Sequence, residues 1–350
     1  MAAQDRVREP LDAFAVPGAN AAELLCDRHP AAGIALSVIA ADLNFIDVTY
    51  GELREKSARF AAALSTLGVR RGDHVATLMG QSADLVVALL GIWRLGAVAV
   101  PLSTASAHDA IASQLQAAGA RLALCDAALR RTLLPAGEIP NDASPLVVVA
   151  GGEAFGYDVS YAEMVDGRGQ FAGDAGHDAG PVAVGGDGTV MQIFGANSPA
   201  RGVTISLGFV GLLAANDEFG LAARPGDTLW RVPDPESRLG PYLELLAPLA
   251  SGTRLLMLSG RTTPGLIWAV LEKFHVTHFA APAGLYAAMA AASTEASGHS
   301  LTRVSSSGAA LVPDMIAWGL DTFGLEIRAN DGLAVDGRAD RPAAMTKNHE

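Results

Sequence analysis

"TYGELREKSARFAAALSTLGVRRGDHVATLMGQSADLVVALLGIWRLGAVAVPL", Thr49 to Leu102, is the stretch on which the fold turns. Its first part sets Leu53, Phe60, Ala61, Leu64 and Leu67 near helical spacing, and Gly68 follows as a residue suited to a left-handed helix end. A turn at Arg71-Gly72-Asp73 precedes a predicted strand, Val75 to Met79; a helix from Ser82 to Leu95 and a strand from Ala97 to Pro101 come next. Strands and helices alternating over so short a span predict βαβ units and a mainly parallel sheet. The most apolar passage, Ala83 to Leu102, is interrupted by Arg94 and two glycines and ends in Val-Ala-Val-Pro. It reads as a buried helix feeding a strand, and no membrane span is predicted.

Outward from this stretch the rhythm continues. A helix over Ile111 to Ala118 leads to the strand-like "ARLALCD". In the second half a helix opens near Ile205, "PGDTLWRVP" carries a turn and a strand, and "YLELLAPLASG" is a helix leading into "TRLLML". Helices at Thr263 to Phe274, Ala283 to Ala292 and Asp314 to Phe323 alternate with the strands "VTHFAA", "RVSSSG" and "LEIRAN". The fold class is α/β. A Gly- and Asp-rich passage, Gly151 to Gly188, separates the halves, giving a flexible N-terminus over 1–20, a first α/β subdomain over 21–175 and a second over 176–350.

With hydrophobic residues at 50% and charged ones at 18%, the chain has ample material for a buried core. A net charge of −12, with no basic run, argues against a nucleic-acid surface, which needs clustered Lys and Arg. Cys26 and Cys125 lie far apart among apolar or small neighbours, so neither a disulfide framework nor a cysteine metal site is expected. The N-terminus has charges of both signs and lacks the apolar segment of a secretion signal, so a reducing cytoplasm is expected.

Several phrases in this order resemble the adenylate-forming superfamily: acyl- and aryl-CoA synthetases, luciferases and peptide-synthetase adenylation domains. Thr49 to Leu102 resembles the family's opening, "GDTLWRVPDPES" the segment of acyl-CoA synthetases that carries a Trp before the acyl pocket, and "FHVTHFAAPAGLYAAM" and "SLTRVSSSGAALVPDMIAWGLDTFGLEIRANDGLA" its later core. The similarity runs from about Ala21 to the C-terminus. It implies an AMP-forming carboxylate–CoA ligase, in which ATP and a small carboxylic acid give an acyl-adenylate and pyrophosphate before a thiol, usually that of coenzyme A, displaces AMP. A carboxylate lacks a good leaving group; adenylation supplies one, and the enzyme must neutralise triphosphate charge meanwhile.

The resemblance lays the family's phosphate loop on Ile193 to Gly202, with Gly195 and Gly202 kept, Asn197 and Ser198 as polar side chains and Arg201 in place of the Lys. Either backbone donors and Arg201 still grip phosphate, or the loop is inherited without a competent grip. On the adenine side the alignment places Gly308 and Ala309, then Asp331, Gly332 and Leu333. Asp336 is the local carboxylate for the magnesium on ATP, or else a solvated loop aspartate. Trp230 and Pro282 are the acyl-pocket candidates, with core packing as the plainer reading of Trp230. His275 and His278, three apart in a strand reading, point to opposite faces and do not make a joint metal site. The family's ribose-gripping Asp, hinge and small lid domain with its catalytic Lys have no counterpart here; Lys56, Lys273 and Lys347 lie outside that context. A partner chain supplying the lid is one expectation. A catalytically impaired relative that binds an acyl group, an adenylate or a protein is the other.

Overall fold

The chain's strands fall into two sheets that share one internal order. The computed structural model describes residues 11–133, 145–172, 181–195, 198–220, 223–232, 240–260, 262–292, 298–307 and 311–329. Among these, β1 (Ile34–Ile39) and β2 (Phe45–Thr49) come first, then β3 (His74–Leu78), β4 (Val98–Pro101), β5 (Leu122–Asp126), β6 (Leu146–Ala150), β7 (Val159–Ser160), β8 (Thr189–Gly195) and β9 (Ser198–Ser206). The last five are β10 (Thr228–Arg231), β11 (Arg254–Leu258), β12 (His278–Pro282), β13 (Arg303–Ser307) and β14 (Ile327–Ala329). Sheet I has the order β7-β6-β5-β3-β4-β8-β9 and sheet II the order β14-β13-β12-β10-β11-β1-β2. Each is a five-stranded parallel unit extended by an antiparallel hairpin, β8–β9 or β1–β2.

The helices are α1 (Tyr50–Thr66), α2 (Ala83–Arg94), α3 (His108–Ala118), α4 (Arg130–Leu133), α5 (Tyr161–Asp166), α6 (Leu207–Gly220), α7 (Gly240–Ser251), α8 (Pro264–Lys273), α9 (Ala283–Ala291) and α10 (Pro313–Phe323). One core lies between the sheets, where Leu36 and Leu255 of sheet II and Val75, Leu122 and Leu124 of sheet I meet side chains of α1, α2, α6 and α7. A second covers the outer face of sheet II with Ile267, Tyr286 and Phe323 from α8, α9 and α10; a third covers the outer face of sheet I with Ile111 and Leu115 from α3. Helices and sheets therefore alternate in five layers.

The opening stretch folds as its pattern predicts. Thr49 caps α1 through a reciprocal pair of bonds, its Oγ1 accepting from the Glu52 N–H and its own N–H donating to Glu52 Oε2 at 2.7 Å. Gly91 lets α2 close onto α1, since a Cβ there would meet Phe60 Cδ1 at 2.6 Å. Arg94, the charge that interrupts the apolar run, ends α2 in a bidentate pair with Asp27, at 2.8 and 2.5 Å, while its Nε donates to Ser57 Oγ. A guanidinium this buried is tolerated because its donors are met in a fork geometry that carboxylate matches.

Two sequence boundaries need correction. The cut at 175/176 does not separate the sheets: β1–β2, from the first half, joins sheet II, where Leu36 pairs with Leu255, and β8–β9 joins sheet I beside β4. Strand pairing is non-local, and a composition shift marks a surface segment and not a sheet boundary. The expected flexible N-terminus over 1–20 does not hold for its described part, because Phe14 is fully buried and the Asn20 amide donates to the carbonyls of Trp93 and Val182. The predicted helix near Ile205 opens at Leu207, after β9 runs on to Ser206. No described helix is long and apolar enough to cross a membrane. Both cysteines are free and buried, and burial pushes each thiol up to about 12.

Candidate functional site

The loop that resembles a phosphate cradle lies at the tip of the β8–β9 hairpin, on the edge of sheet I. Its ladder is regular from Met191–Ile205 to Phe194–Gly202, and the next pair is Gly195–Ser198. Pro199, Ala200 and Arg201 are thus extra residues in β9, a bulge that takes the backbone of the candidate cation out of the ladder. The structure brings Gly195, Ser198, Arg201 and Gly202 together at this tip; Asn197 lies outside the described residues. Gly202 also has a packing role, since a Cβ there would meet Gln192 Cγ at 2.6 Å. Gln192 Oε1 is buried with no hydrogen-bond partner among the described residues.

The adenine-side and metal candidates follow β13 and β14. These strands run parallel to β12, so the segments after Ser307 and Ala329 leave from the carboxyl edge of sheet II, the edge where open α/β sheets bind ligands. Gly308, Ala309, Asp331, Gly332, Leu333 and Asp336 themselves lie outside the described residues. Pro282 ends β12 at the same edge and is the residue before α9, half-buried. Trp230 is 1% exposed and belongs to the outer core, its ring 5.3 Å from that of Phe279. His278 is buried with Nδ1 2.9 Å from Thr277 Oγ1, whereas His275 lies in a turn at φ 49°, before the strand begins. Among the described residues, no group of three or more His, Cys, Asp or Glu could hold a metal.

Each sheet has one point where its connections reverse direction. In sheet II, β10 leads through α7 to β11 on one side, and β11 leads through α8 back across to β12 on the other. Between β10, β12 and β13, at the first and middle residues of β12 and β13, lies a small cavity of about 10 Å³, room for one water, lined by Leu229, Arg231, His278, Phe279, Ala280, Arg303 and Ser305. Sequence reasoning passed over Arg231 and Arg303; alternation within "TLWR" separates Arg231 from Trp230, but which face looks inward depends on packing. In sheet I the crevice between β3 and β5 is bridged by the protein at the carboxyl ends of these strands, where the Gly80 N–H donates to Asp126 Oδ2 at 2.8 Å. Beside it the Tyr161 hydroxyl donates to the Asp84 carbonyl, and burial raises the Asp84 carboxyl above the usual carboxylate range.

A family model described as "AMP-binding enzyme" matches residues 27–330. The chain belongs to the AMP-binding enzyme family. Its fold is that of the large domain of acyl-CoA synthetases: an acyl-CoA synthetase of Brucella canis superposes with a TM-score of 0.80 and 26% identity, over 93% of this chain and 60% of that one. A benzoate CoA ligase of Burkholderia xenovorans LB400 gives a TM-score of 0.72 at 24% identity, over 88% of this chain and 60% of that one. Among curated relatives, an acetyl-coenzyme A synthetase of Rhodobacter capsulatus is 27% identical over 263 residues, covering 69% of this chain and 39% of that protein. A 3-hydroxybenzoate/4-hydroxybenzoate–CoA ligase of Thauera aromatica is 36% identical over 138 residues, covering 39% of this AMP-binding family chain and 25% of the ligase. The chain spans about two fifths of the acetyl-coenzyme A synthetase's length.

Proposed function

We propose that this chain is the large domain of an AMP-forming acid–thiol ligase that uses ATP, magnesium and coenzyme A to activate a small carboxylic acid. The observation that carries this reading is the near-complete superposition on an acyl-CoA synthetase, over 93% of the chain. In this reading Gly195, Asn197, Ser198, Arg201 and Gly202 take the phosphates, and Gly308, Ala309, Asp331, Gly332 and Leu333 the adenylate. Asp336 takes the magnesium, and the acid enters at the carboxyl edge of sheet II near Trp230 and Pro282. ATP supplies the leaving group that a carboxylate lacks; the chain's part is to hold its charge while the acid attacks. The lid that completes thiol transfer comes from a further segment or a partner chain, and two buried thiols suit work in a reducing cytoplasm.

A second reading, a non-catalytic binder of an acyl group, an adenylate or a protein, is favoured by one feature: the hairpin closes at Gly195–Ser198, and Ser198 and Arg201 stand where relatives carry Gly and Lys. Calorimetric titration with Mg-ATP separates the two. Saturable binding that Arg201→Ala weakens roughly tenfold or more supports the ligase. Absence of heat at millimolar nucleotide sinks it.

A further inference from the structure

The sequence after β6, "GGEAFGYDVS", sets two aromatic residues among glycines and carboxylates. In the structure these residues form a loop, 151–158, between β6 and β7, and it holds Phe155 and Tyr157 at 72% and 83% exposure. The other described tyrosines, Tyr50, Tyr161 and Tyr286, are buried. Large rings left side by side in the sequence and both in water mark a surface made for contact.

The loop is fixed where it stands. Asp158, its last residue, accepts two bonds from Arg130 of α4, Nε to Oδ2 at 2.6 Å and Nη2 to Oδ1 at 2.9 Å, and its own N–H donates to the Phe155 carbonyl at 3.1 Å. Gly151 and Gly156 take left-handed backbone at φ 71° and 65°. Gly152 lies so close to the chain after β5 that a Cβ there would meet Ala127 Cβ at 2.5 Å. Rings presented on a fixed frame lose little conformational entropy when a partner covers them, which makes them effective anchors.

The charge around the rings selects the partner. Over residues 132–167 the sequence contains no Lys, Arg or His. The nearest cations on either side are engaged with carboxylates, Arg130 with Asp158 and Arg168 with Asp166. Glu153, two residues before Phe155, and Glu163 of α5 are exposed. Such a surface repels nucleic acid, an anionic bilayer and acidic proteins, whereas aromatic faces among carboxylates attract Lys and Arg through charge and the ring quadrupole together.

We infer that loop 151–158 is a docking surface for a Lys- or Arg-rich segment of a partner protein, with Phe155 and Tyr157 as its anchors. It stands at the edge of sheet I opposite the β8–β9 tip, and does not depend on what that tip binds.

The test is calorimetry on the full chain with a synthetic decapeptide of alternating Arg and Leu, at low and at physiological salt. Its Glu–Leu counterpart and vesicles of anionic phosphatidylglycerol represent the competing chemistries. The expected result is saturable binding of the Arg–Leu peptide alone. Phe155→Ser combined with Tyr157→Ser weakens it roughly tenfold or more at unchanged net charge, and Glu153→Gln weakens it by a smaller factor that shrinks as salt rises. Both rings are exposed, so the variants should melt with the native chain; if the double variant does not, Phe155→Ser alone decides. An affinity that survives loss of the rings, equal binding of the Glu–Leu peptide or the vesicles, or no binding of the Arg–Leu peptide overturns the surface. So does a dimer of the unliganded chain, seen in sedimentation and dissolved by the ring variants, since a second copy would then be the occupant.

Discussion

Sheets I and II have the same strand order and the same crossovers, yet their inward faces differ in kind. Aligning β3, β5 and β6 with β10, β12 and β13 sets Val75, Thr77, Leu122, Leu124, Leu146 and Val148 against Leu229, Arg231, His278, Ala280, Arg303 and Ser305. The first set is packed into or against the inner core, Thr77 being fully buried beside it; of the second, Leu229 is buried but lines the cavity and is not part of that core cluster. One architecture has been used twice, once to bury surface and once to line a crevice. Topology alone does not make a site; the chemistry of its side chains does.

The sharpest way to break the comparison is to exchange its corresponding residues. Thr77→Arg places an unmatched charge in the inner layer of sheet I and should cost several kcal/mol or abolish folding. The reciprocal Arg231→Thr should cost less, because it removes a charge from this layer and does not bury a new one. Chemical denaturation of both variants checks the pair, and equal costs would erase the distinction between the sheets.

A smaller effect is expected where sheet I's crevice is bridged. Asp126→Ala removes the acceptor for the Gly80 N–H and should cost about 1–2 kcal/mol by denaturant midpoint. The same change should leave nucleotide titrations unaltered, since Asp126 is engaged within the protein by the Gly80 N–H.

The smallest effect concerns pH. His29 donates through Nε2 to the Leu249 carbonyl of α7, and burial, with Arg28 second, holds its imidazole down at about 4 against 6.5. The unfolded chain therefore takes up this proton first as pH falls. The stability that neutral His29 contributes is complete above about pH 6.5 and drains away between 6.5 and 4. Melting temperature across that window should fall more steeply in the native chain than in His29→Gln.

What the sequence disclosed follows the range of the forces involved. Local signals were legible: the Thr49 to Leu102 run gave α1, β3, α2 and β4 because periodicity, capping and turn residues act within a few positions. The partnership of β1 with β11 was not, because nothing in "IALSVI" says that "RLLML" will pair with it. The site was half legible for a related reason. Motif order pointed to the β8–β9 tip and to the end of sheet II that β13 and β14 reach, but the inward turn of Arg231 and outward turn of Trp230 depend on which helices cover which face. Trp230, an acyl-pocket candidate by resemblance, packs in the outer core, and the neighbouring Arg231, which sequence reasoning passed over, turns to the other face.

The exchange of hairpins between the two halves also sets an order of events during synthesis. Every strand of sheet I lies between His74 and Ser206, so that sheet can be complete before β10 has been made. Sheet II cannot: Arg254 Nε reaches Ser37 Oγ across 217 residues of chain, and β1 finds its neighbour only when β11 emerges. At about 5–20 residues per second the β1–β2 ribbon waits roughly 10–40 seconds on the ribosome with one apolar edge unpaired. The nascent chain thus spends that interval with a finished sheet and an open one.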